Sequence, residues 1–374
     1  MPIPFHRALI TGSENSHILQ ATKEAQFSGN GPMTRRCQDW LSQACGAPVV
    51  LTPSGTASLD MMALMLDLKP GDEVILPSFT FVATASAFAL RGVVPVYVDV
   101  RRDTLNIDET LVPLAITPKT KAIIPIHYGG VAANLDALSH IATDHQVMLL
   151  EDSAQCLLAK YKGRPLGTFG TLGTLSFHAT KNLHCGEGGA LIINDPKFHL
   201  KAEIVREKGT NRSQFFRGEV DKYTWVDLGS AYCPSELDAA FLMGQLEHAE
   251  VVTTERVRMW KRYHSALHEL EQRGILRRPF LPSECETNAH IFFVVLPSLE
   301  KKNSLFEFMK SKQIGVSSHY VPLHSSPAGK KYGRGVGSFK NTDEAFDGLL
   351  RLPLWHGLGS DQDQVIEAIF EWAK

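Results

Sequence analysis

Along the first two thirds of the chain, short apolar runs alternate with stretches whose hydrophobic residues recur every three or four positions. "APVVLT" (47–52) precedes "ASLDMMALMLDL" (57–68), in which Leu59, Met62, Ala63 and Leu66 fall at helical spacing. "DEVILP" (72–77), "VPVYVDV" (94–100), "KAIIPIHY" (121–128), "QVMLLED" (146–152), "TLSFH" (174–178) and "GALIIN" (189–194) follow, with room for helices between several of them. Near-continuous apolar strands separated by helices predict an α/β domain whose mostly parallel sheet is covered on both faces. Ligands of such sheets bind beyond the carboxyl ends of the strands. After about residue 245 the pattern changes to a long helix over 244–274, followed by "HIFFVVLP" (290–297) and "QIGVSSHYVPLH" (313–324). That pattern suits a smaller α+β domain, so the expected division is 1–245 and 246–374.

Composition narrows the function classes. The chain has 374 residues, 44% hydrophobic and 21% charged, which suits a globular enzyme with a large core. The formal charge is −2 with both signs interspersed, so neither a nucleic-acid face nor a polybasic membrane segment is expected. The apolar region from Val74 to Val100 is interrupted by Pro77, Arg91 and Pro95, and "MPIPFHRALITG" lacks the basic start and apolar core of a signal peptide. A cytoplasmic location is expected. The six cysteines form no C-x-x-C pair and no metal-site spacing, which predicts free thiols and no metal.

Three features sit where the strands should end. "LTPSGTAS" joins a strand to a helix and sets Ser54, Gly55 and Thr56 at a helix N-terminus, where amides, hydroxyls and the dipole suit a phosphate, although the same residues also make an ordinary helix start. "LLEDSAQ" ends an apolar strand in two acids, of which alternation turns one inward. Asp152 there suits a protonated heterocyclic nitrogen, or else a helix cap. "TLSFHATKNLHCGEGG" (174–189) carries Lys181 among hydroxyls, histidines and glycines between two strands. A Schiff-base lysine must be neutral part of the time, which partial burial favours. A phosphate cradle, a carboxylate and a lysine about thirty residues later together match the three parts of pyridoxal phosphate (PLP).

"LTPSGTASL", "LPSFTFVATASAF", "VDV…DTLNIDETL", "PIHYGG", "EDSAQ" and "SFHATKNLHCGEGGA" resemble the DegT/StrS family of sugar-nucleotide aminotransferases, with the PLP fold type I of the aspartate aminotransferase superfamily. The likeness extends to the C-terminal "HYVPLHSSPAG" and "RLPLW". It implies a large domain with a mostly parallel seven-stranded sheet, a smaller C-terminal α+β domain, and a homodimer with its active site at the subunit interface. It also implies L-glutamate as donor and a dTDP-4-keto-6-deoxy sugar as acceptor.

The resemblance assigns residues as well. Lys181 becomes the covalent anchor of PLP and its catalytic acid/base. Asp152 pairs with the pyridine nitrogen, Gln155 bonds the ring hydroxyl, and Gly55 and Thr56, with Ser176 opposite, hold the phosphate. Phe81 stacks on the ring; His178, three residues before Lys181, falls on the opposite face if the strand continues unbroken and is otherwise expected near the site. Many relatives read Gly-Tyr-Asn-Tyr-Arg where this chain has "GSAYC" (229–233), and that Asn reaches the phosphate of the neighbouring subunit. Ala231 stands in its place and cannot donate, which turns attention to Asn211 and Arg212 of "KGTNRSQ". Arg212, Arg217 and Lys222 are available for the nucleotide phosphates, and Tyr320 and His324 of "HYVPLH" for the sugar.

Related PLP sugar 3-dehydratases have histidine in place of the lysine, so Lys181 argues for transamination. A noncatalytic relative is expected to have lost Lys181 or Asp152, and both are present. Amination at C3, or of a UDP or GDP sugar, keeps every cofactor residue and stays open. Cys156 and Cys185, each close in sequence to a cofactor residue, are expected to be packing residues.

Overall fold

The computed structural model of the chain describes residues 2–374. Ten strands are named here: β1 (Val49–Thr52), β2 (Glu73–Pro77), β3 (Val94–Val98), β4 (Thr120–Ile123), β5 (Met148–Asp152), β6 (Leu172–Ser176), β7 (Gly189–Ile193), β8 (Phe292–Val295), β9 (Arg334–Gly335) and β10 (Leu349–Leu352). Eight of them form one sheet in the order β1-β7-β6-β5-β4-β2-β3-β9. From β6 to β9 every pairing is parallel, whereas β7 runs antiparallel to both β1 and β6.

The alternation of core residues explains why these strands read as continuous apolar runs. Val74, Leu76, Ala122, Ile124, Leu150 and Leu191 join one buried cluster, while Ile75, Val96, Val98, Ile123 and Leu149 join another. Both faces are covered, and each fully buried aliphatic side chain contributes about 1.5–3 kcal/mol. A separate cluster forms around β8 and β10, where Trp260, Phe292, Leu305, Leu350 and Ile369 pack together. Ile3 from the N-terminal arm enters that cluster and bridges to Ile314.

The structure departs from the pattern-based reading in two places. The sheet has eight strands because Arg334 and Gly335, far along the chain, pair with Val96 and Tyr97 at its edge. Two residues carry no periodic signal. The helix expected over 244–274 is three helices, Glu236–Leu246, Ala249–Ala266 and His268–Gln272. Ser235 starts the first by accepting from the Asp238 amide, and the junction at Glu247 and His248 is held from outside. His248 meets Ser13 Oγ at 2.9 Å, and Glu247 meets His17 at 3.0 Å. Both partners belong to the N-terminal part of the chain, which periodicity within 244–274 does not report.

The direction of the strands positions the site. Since β7 is antiparallel to its two neighbours, β1 points the same way as β6, β5, β4, β2 and β3. Their carboxyl ends therefore share one edge, and β7 begins there at Gly189. Residues 53–56, 78–82, 152–155 and 176–181 all follow such ends.

Candidate active site

A cavity of about 460 Å³ opens at that edge. Of the residues singled out from the sequence, Gly55, Thr56, Phe81, Asp152, Gln155, Ser176, His178, Lys181 and Tyr320 line it. Asn211, Arg212, Arg217 and His324 do not.

The β1–helix turn forms one wall. Ser54, in extended conformation, caps the helix Gly55–Met65 by accepting from the Ala57 amide at 3.0 Å. The amides at the start of the helix lie outside the intrahelical ladder and are available to an anion. The turn packs backbone against backbone: a Cβ on Gly189 would lie 2.3 Å from the Ser54 carbonyl carbon, and one on Gly55 would lie 3.0 Å from Ser176 Cβ. Any side chain at Gly55 would fill the space between the helix start and Ser176.

Asp152, the last residue of β5, is buried. Its Oδ2 accepts from Thr84 Oγ1 at 2.7 Å and its Oδ1 from the Ala154 amide at 3.1 Å. Gln155 is fixed at both ends of its amide, with Oε1 accepting from the Gly129 amide at 2.7 Å and Nε2 donating to the Tyr320 hydroxyl at 3.1 Å. Phe81 is 58% exposed, an open aromatic face beside the cavity, with its ring 6.3 Å from that of Tyr320.

Strand β6 stops at Ser176, and the chain to Gly189 folds as a closed loop. The Phe177 amide donates to Gly188 O, the Cys185 amide to Phe177 O, and the Lys181 amide to His178 O at 2.8 Å. Since the strand ends early, alternation no longer governs His178, which lines the cavity with Nδ1 2.8 Å from Thr180 Oγ1. Lys181 is half-buried. Burial pushes its pKa down from the ordinary lysine value to about 8, with the Asp152 charge opposing and that of Arg351 adding to the shift. An appreciable fraction of the amine is then neutral near physiological pH.

The remaining residues have other partners. Asn211 ties a loop, donating to Lys222 O and accepting from the Thr224 amide at 2.7 Å. Arg212 pairs with Glu207 at 3.2 Å, and Arg217 with Glu203 and Glu219. His324 meets Ser78 Oγ at 2.7 Å and stacks on Phe339. Ala231 is exposed beside Glu207. Cys156 donates to His127 O and Cys185 to Glu187 O, and burial raises both thiol pKa values.

Sequence reasoning missed Thr84, which orients Asp152, and a group of residues at the far wall: His6, Arg256, His290, His319 and Arg351. These come from the N-terminal arm and from four separate C-terminal segments, so no single local motif links them. The signals at hand were His319, which opens "HYVPLH", and Arg351 within "RLPLW", both inside the stretches that carry the family resemblance.

A profile of the DegT/DnrJ/EryC1/StrS aminotransferase family matches residues 9–370. The chain belongs to this family. It is similar to the spore coat polysaccharide biosynthesis protein SpsC of Bacillus subtilis, with 30% identity over all of this chain and 97% of the relative. Among solved structures, the aminotransferase TlmJ of Streptoalloteichus hindustanus superposes with a TM-score of 0.90 at 28% identity, covering 99% of this chain and 98% of TlmJ. Spr1654 of Streptococcus pneumoniae in its PLP form superposes with a TM-score of 0.91 at 25% identity, covering 100% and 99%. This DegT/StrS member is a PLP-dependent sugar aminotransferase with fold type I architecture. Its cavity fits the cofactor: a helix N-terminus whose glycine leaves room for a phosphate, a buried carboxylate with lone pairs to spare, and a lysine of lowered pKa line one space. Among the described residues no helix is long and apolar enough to cross a membrane.

Proposed function

We propose that this aminotransferase transfers the amino group of L-glutamate to C4 of dTDP-4-keto-6-deoxy-D-glucose, giving dTDP-4-amino-4,6-dideoxy-D-galactose and 2-oxoglutarate for a cell-surface polysaccharide in the cytoplasm. The aminotransferase chemistry is carried by Lys181 and Asp152 in one cavity. The choice of sugar is supported by "TRRCQDWL", "REKGTNRSQFFRGEVDKYTW" and "LRLPL", which resemble the dTDP-4-amino-4,6-dideoxygalactose transaminase of enterobacterial common antigen synthesis. The name of the SpsC relative, a polysaccharide biosynthesis protein, is in keeping with that pathway class.

Bound PLP supplies an electron sink that makes the donor's Cα proton removable. Asp152 keeps the ring nitrogen protonated, its carboxylate aimed by Thr84. Gln155, immobilised by Gly129 and Tyr320, holds the ring hydroxyl. Gly55, Thr56 and Ser176 hold the phosphate, and Phe81 covers one ring face. Lys181 Nζ anchors the cofactor covalently; once released, the neutral amine takes the proton from the donor Cα and in the second half delivers one to sugar C4. The face from which it delivers decides between the galacto and gluco amine.

The subunit contact belongs to the same reading. Phe215, Phe216, Tyr223, Trp225, Val226 and Leu228 are six exposed large hydrophobic residues interspersed with charged ones between residues 215 and 228, which suits burial against a second copy in a homodimer. Asn211, expected to reach the partner's phosphate in place of the missing Asn at Ala231, is instead buried at the base of this loop with its amide spent on Lys222 O and the Thr224 amide, so it holds the loop in shape.

The test is a two-step spectral assay on the PLP-loaded enzyme. L-glutamate should bleach the cofactor's visible band, and dTDP-4-keto-6-deoxyglucose should restore it with an aminated product of galacto configuration by NMR. Lys181→Ala should lower turnover on the order of 10⁴-fold. If the donor step proceeds and this sugar is ignored, another nucleotide keto sugar is the acceptor.

A further inference from the structure

A buried turn just ahead of β8 reaches both cofactor loops at once. It presents Asn288 and His290, and both are buried, as is Asn182, the residue after Lys181. The Asn182 amide is gripped at both ends: its Nδ2 donates to the Asn288 carbonyl at 2.9 Å, and its Oδ1 meets His290 Nδ1 at 3.1 Å. The Asn288 side chain serves the other loop, where its Nδ2 donates to the Gln155 and Leu157 carbonyls at 2.8 and 2.9 Å. Lys181 and Gln155 follow different strands, yet one turn of the chain ties the backbone beside each.

That turn is strained and pinned. Ala289 has a φ of 52°, in the left-handed region that a residue with a Cβ rarely adopts, and the kink lets the 288 carbonyl and the 290 ring address the same amide. Arg256, on the helix Ala249–Ala266, holds it by donating Nε to Ala289 O at 3.2 Å and Nη2 to His290 O at 2.8 Å. Asn288 Oδ1 accepts from the His290 amide at 3.1 Å, and a Cβ on Gly130 would lie 2.1 Å from that oxygen, so the turn has little room to shift. The tautomer of His290 follows. An amide whose nitrogen donates to a carbonyl turns its oxygen to the ring, so Nδ1 carries the proton and Nε2 a lone pair. Burial, then the Lys181, Arg256 and Arg351 charges, push the His290 pKa well below the ordinary histidine value, so the ring stays neutral and adds no charge beside the lysine.

We propose that His290 is a positioning residue for Lys181: through its Nδ1 hydrogen bond to Asn182 it fixes the backbone from which the lysine reaches the cofactor. This rests on Lys181 as the anchor, as proposed above, and adds the group that aims it. In a full reaction Lys181 lets go of the cofactor, moves a proton in each half and returns to its first place, so its Nζ must meet the same few atoms repeatedly. A long, flexible side chain does so only from a fixed root, and a misplacement of about 1 Å costs on the order of 10²-fold in rate. A residue that aims Lys181 acts on the rate of its chemistry and leaves substrate binding largely alone.

The experiment follows two rates in His290 variants: uptake of PLP by the cofactor-free protein, from the rise of the visible band, and bleaching of that band by L-glutamate. Uptake needs neither donor nor sugar, so it reads the proposal whichever substrates the enzyme takes. His290→Leu should slow uptake roughly 10-fold and bleaching roughly 10- to 100-fold, with the half-saturating glutamate concentration within about threefold of wild type. His290→Asn carries an amide nitrogen as many bonds from the backbone as Nδ1 and should restore most of both rates. His290→Gln carries its nitrogen at the Nε2 distance and should not. Asn182→Leu added to His290→Leu should cost little beyond either alone, since both break the same contact. Urea midpoints separate loss of fold from loss of aim, and if His290→Leu does not fold, the contrast between Asn and Gln decides. A destabilised His290→Leu that takes up PLP at the wild-type rate, rescue by Gln and not by Asn, or additive losses in the double variant each overturn the proposal. A Lys181→Ala protein that raises the same band at the wild-type rate would instead remove the anchor assignment, and the proposal with it.

Discussion

Strand β5 ends in two neighbouring acids, both buried, and their surroundings differ. Glu151 accepts from the Gly167, Phe169 and Gly170 amides at 2.9, 2.6 and 2.6 Å and from His127 Nε2 at 3.0 Å. The His127 tautomer is fixed because its Nδ1 accepts from the Ala133 amide. Asp152 receives two donors, Thr84 and the Ala154 amide, and faces the cavity. A carboxylate offers about four lone-pair sites, so Glu151 is saturated by its own chain whereas Asp152 has capacity to spare for a ligand. Burial alone therefore does not mark a functional acid. Unfilled hydrogen-bonding capacity directed at a cavity does.

Two substitutions pull this pair apart. Asp152→Asn should lower kcat on the order of 10²–10³-fold, because an amide cannot hold a ring nitrogen in its protonated state. The Thr84 hydrogen bond has an oxygen to go to in the variant, so the urea midpoint should stay close to the wild-type value. Glu151→Ala should do the reverse. It strands three buried amides and the His127 ring, which costs about 3 kcal/mol, while the turnover of the molecules that remain folded changes little. Chemical denaturation and single-turnover kinetics on the same preparations read both effects. Equal losses of stability and of turnover in both variants would erase the distinction.

The same pair shows what the sequence makes legible. "LLED" announces a strand ending in acids, and alternation sends them to opposite faces of the sheet. Which acid serves chemistry depends on residues 167–170 closing over one and Thr84 reaching the other, and neither contact has a local signature. The strands of the main sheet were readable because each is buried on both faces, whereas β9 is two residues that only the sheet edge defines. The cofactor side of the cavity follows single strand ends and so reads as motifs. The Arg351 wall is assembled from Phe5, Arg256, His290, His319 and Arg351, which are remote in sequence, and it becomes visible only when the chain is folded.

The smallest effect sharpens the comparison most, since it asks which acid Lys181 feels. In the cofactor-free protein the Lys181 pKa is near 8, below the ordinary lysine value of 10.5 that the unfolded chain keeps. Between those values the unfolded state binds more protons, so stability rises with pH from about 8 to about 10.5, and the cost of the buried charge is fully present below 8. After allowance for partial exposure this amounts to roughly 2 kcal/mol. Lys181→Met should therefore be more stable than wild type at pH 7, with the gap closing by pH 10.5 in denaturation curves of the apo forms. Asp152 raises the lysine pKa, and Glu151 is not among the groups that act on it. In an Asp152→Asn background the rise should begin at lower pH, whereas Glu151→Gln should leave its onset near 8. An onset that moves equally in both backgrounds would mean that the saturated acid still reaches the cavity, and the contrast between the two carboxylates would lose its electrostatic basis.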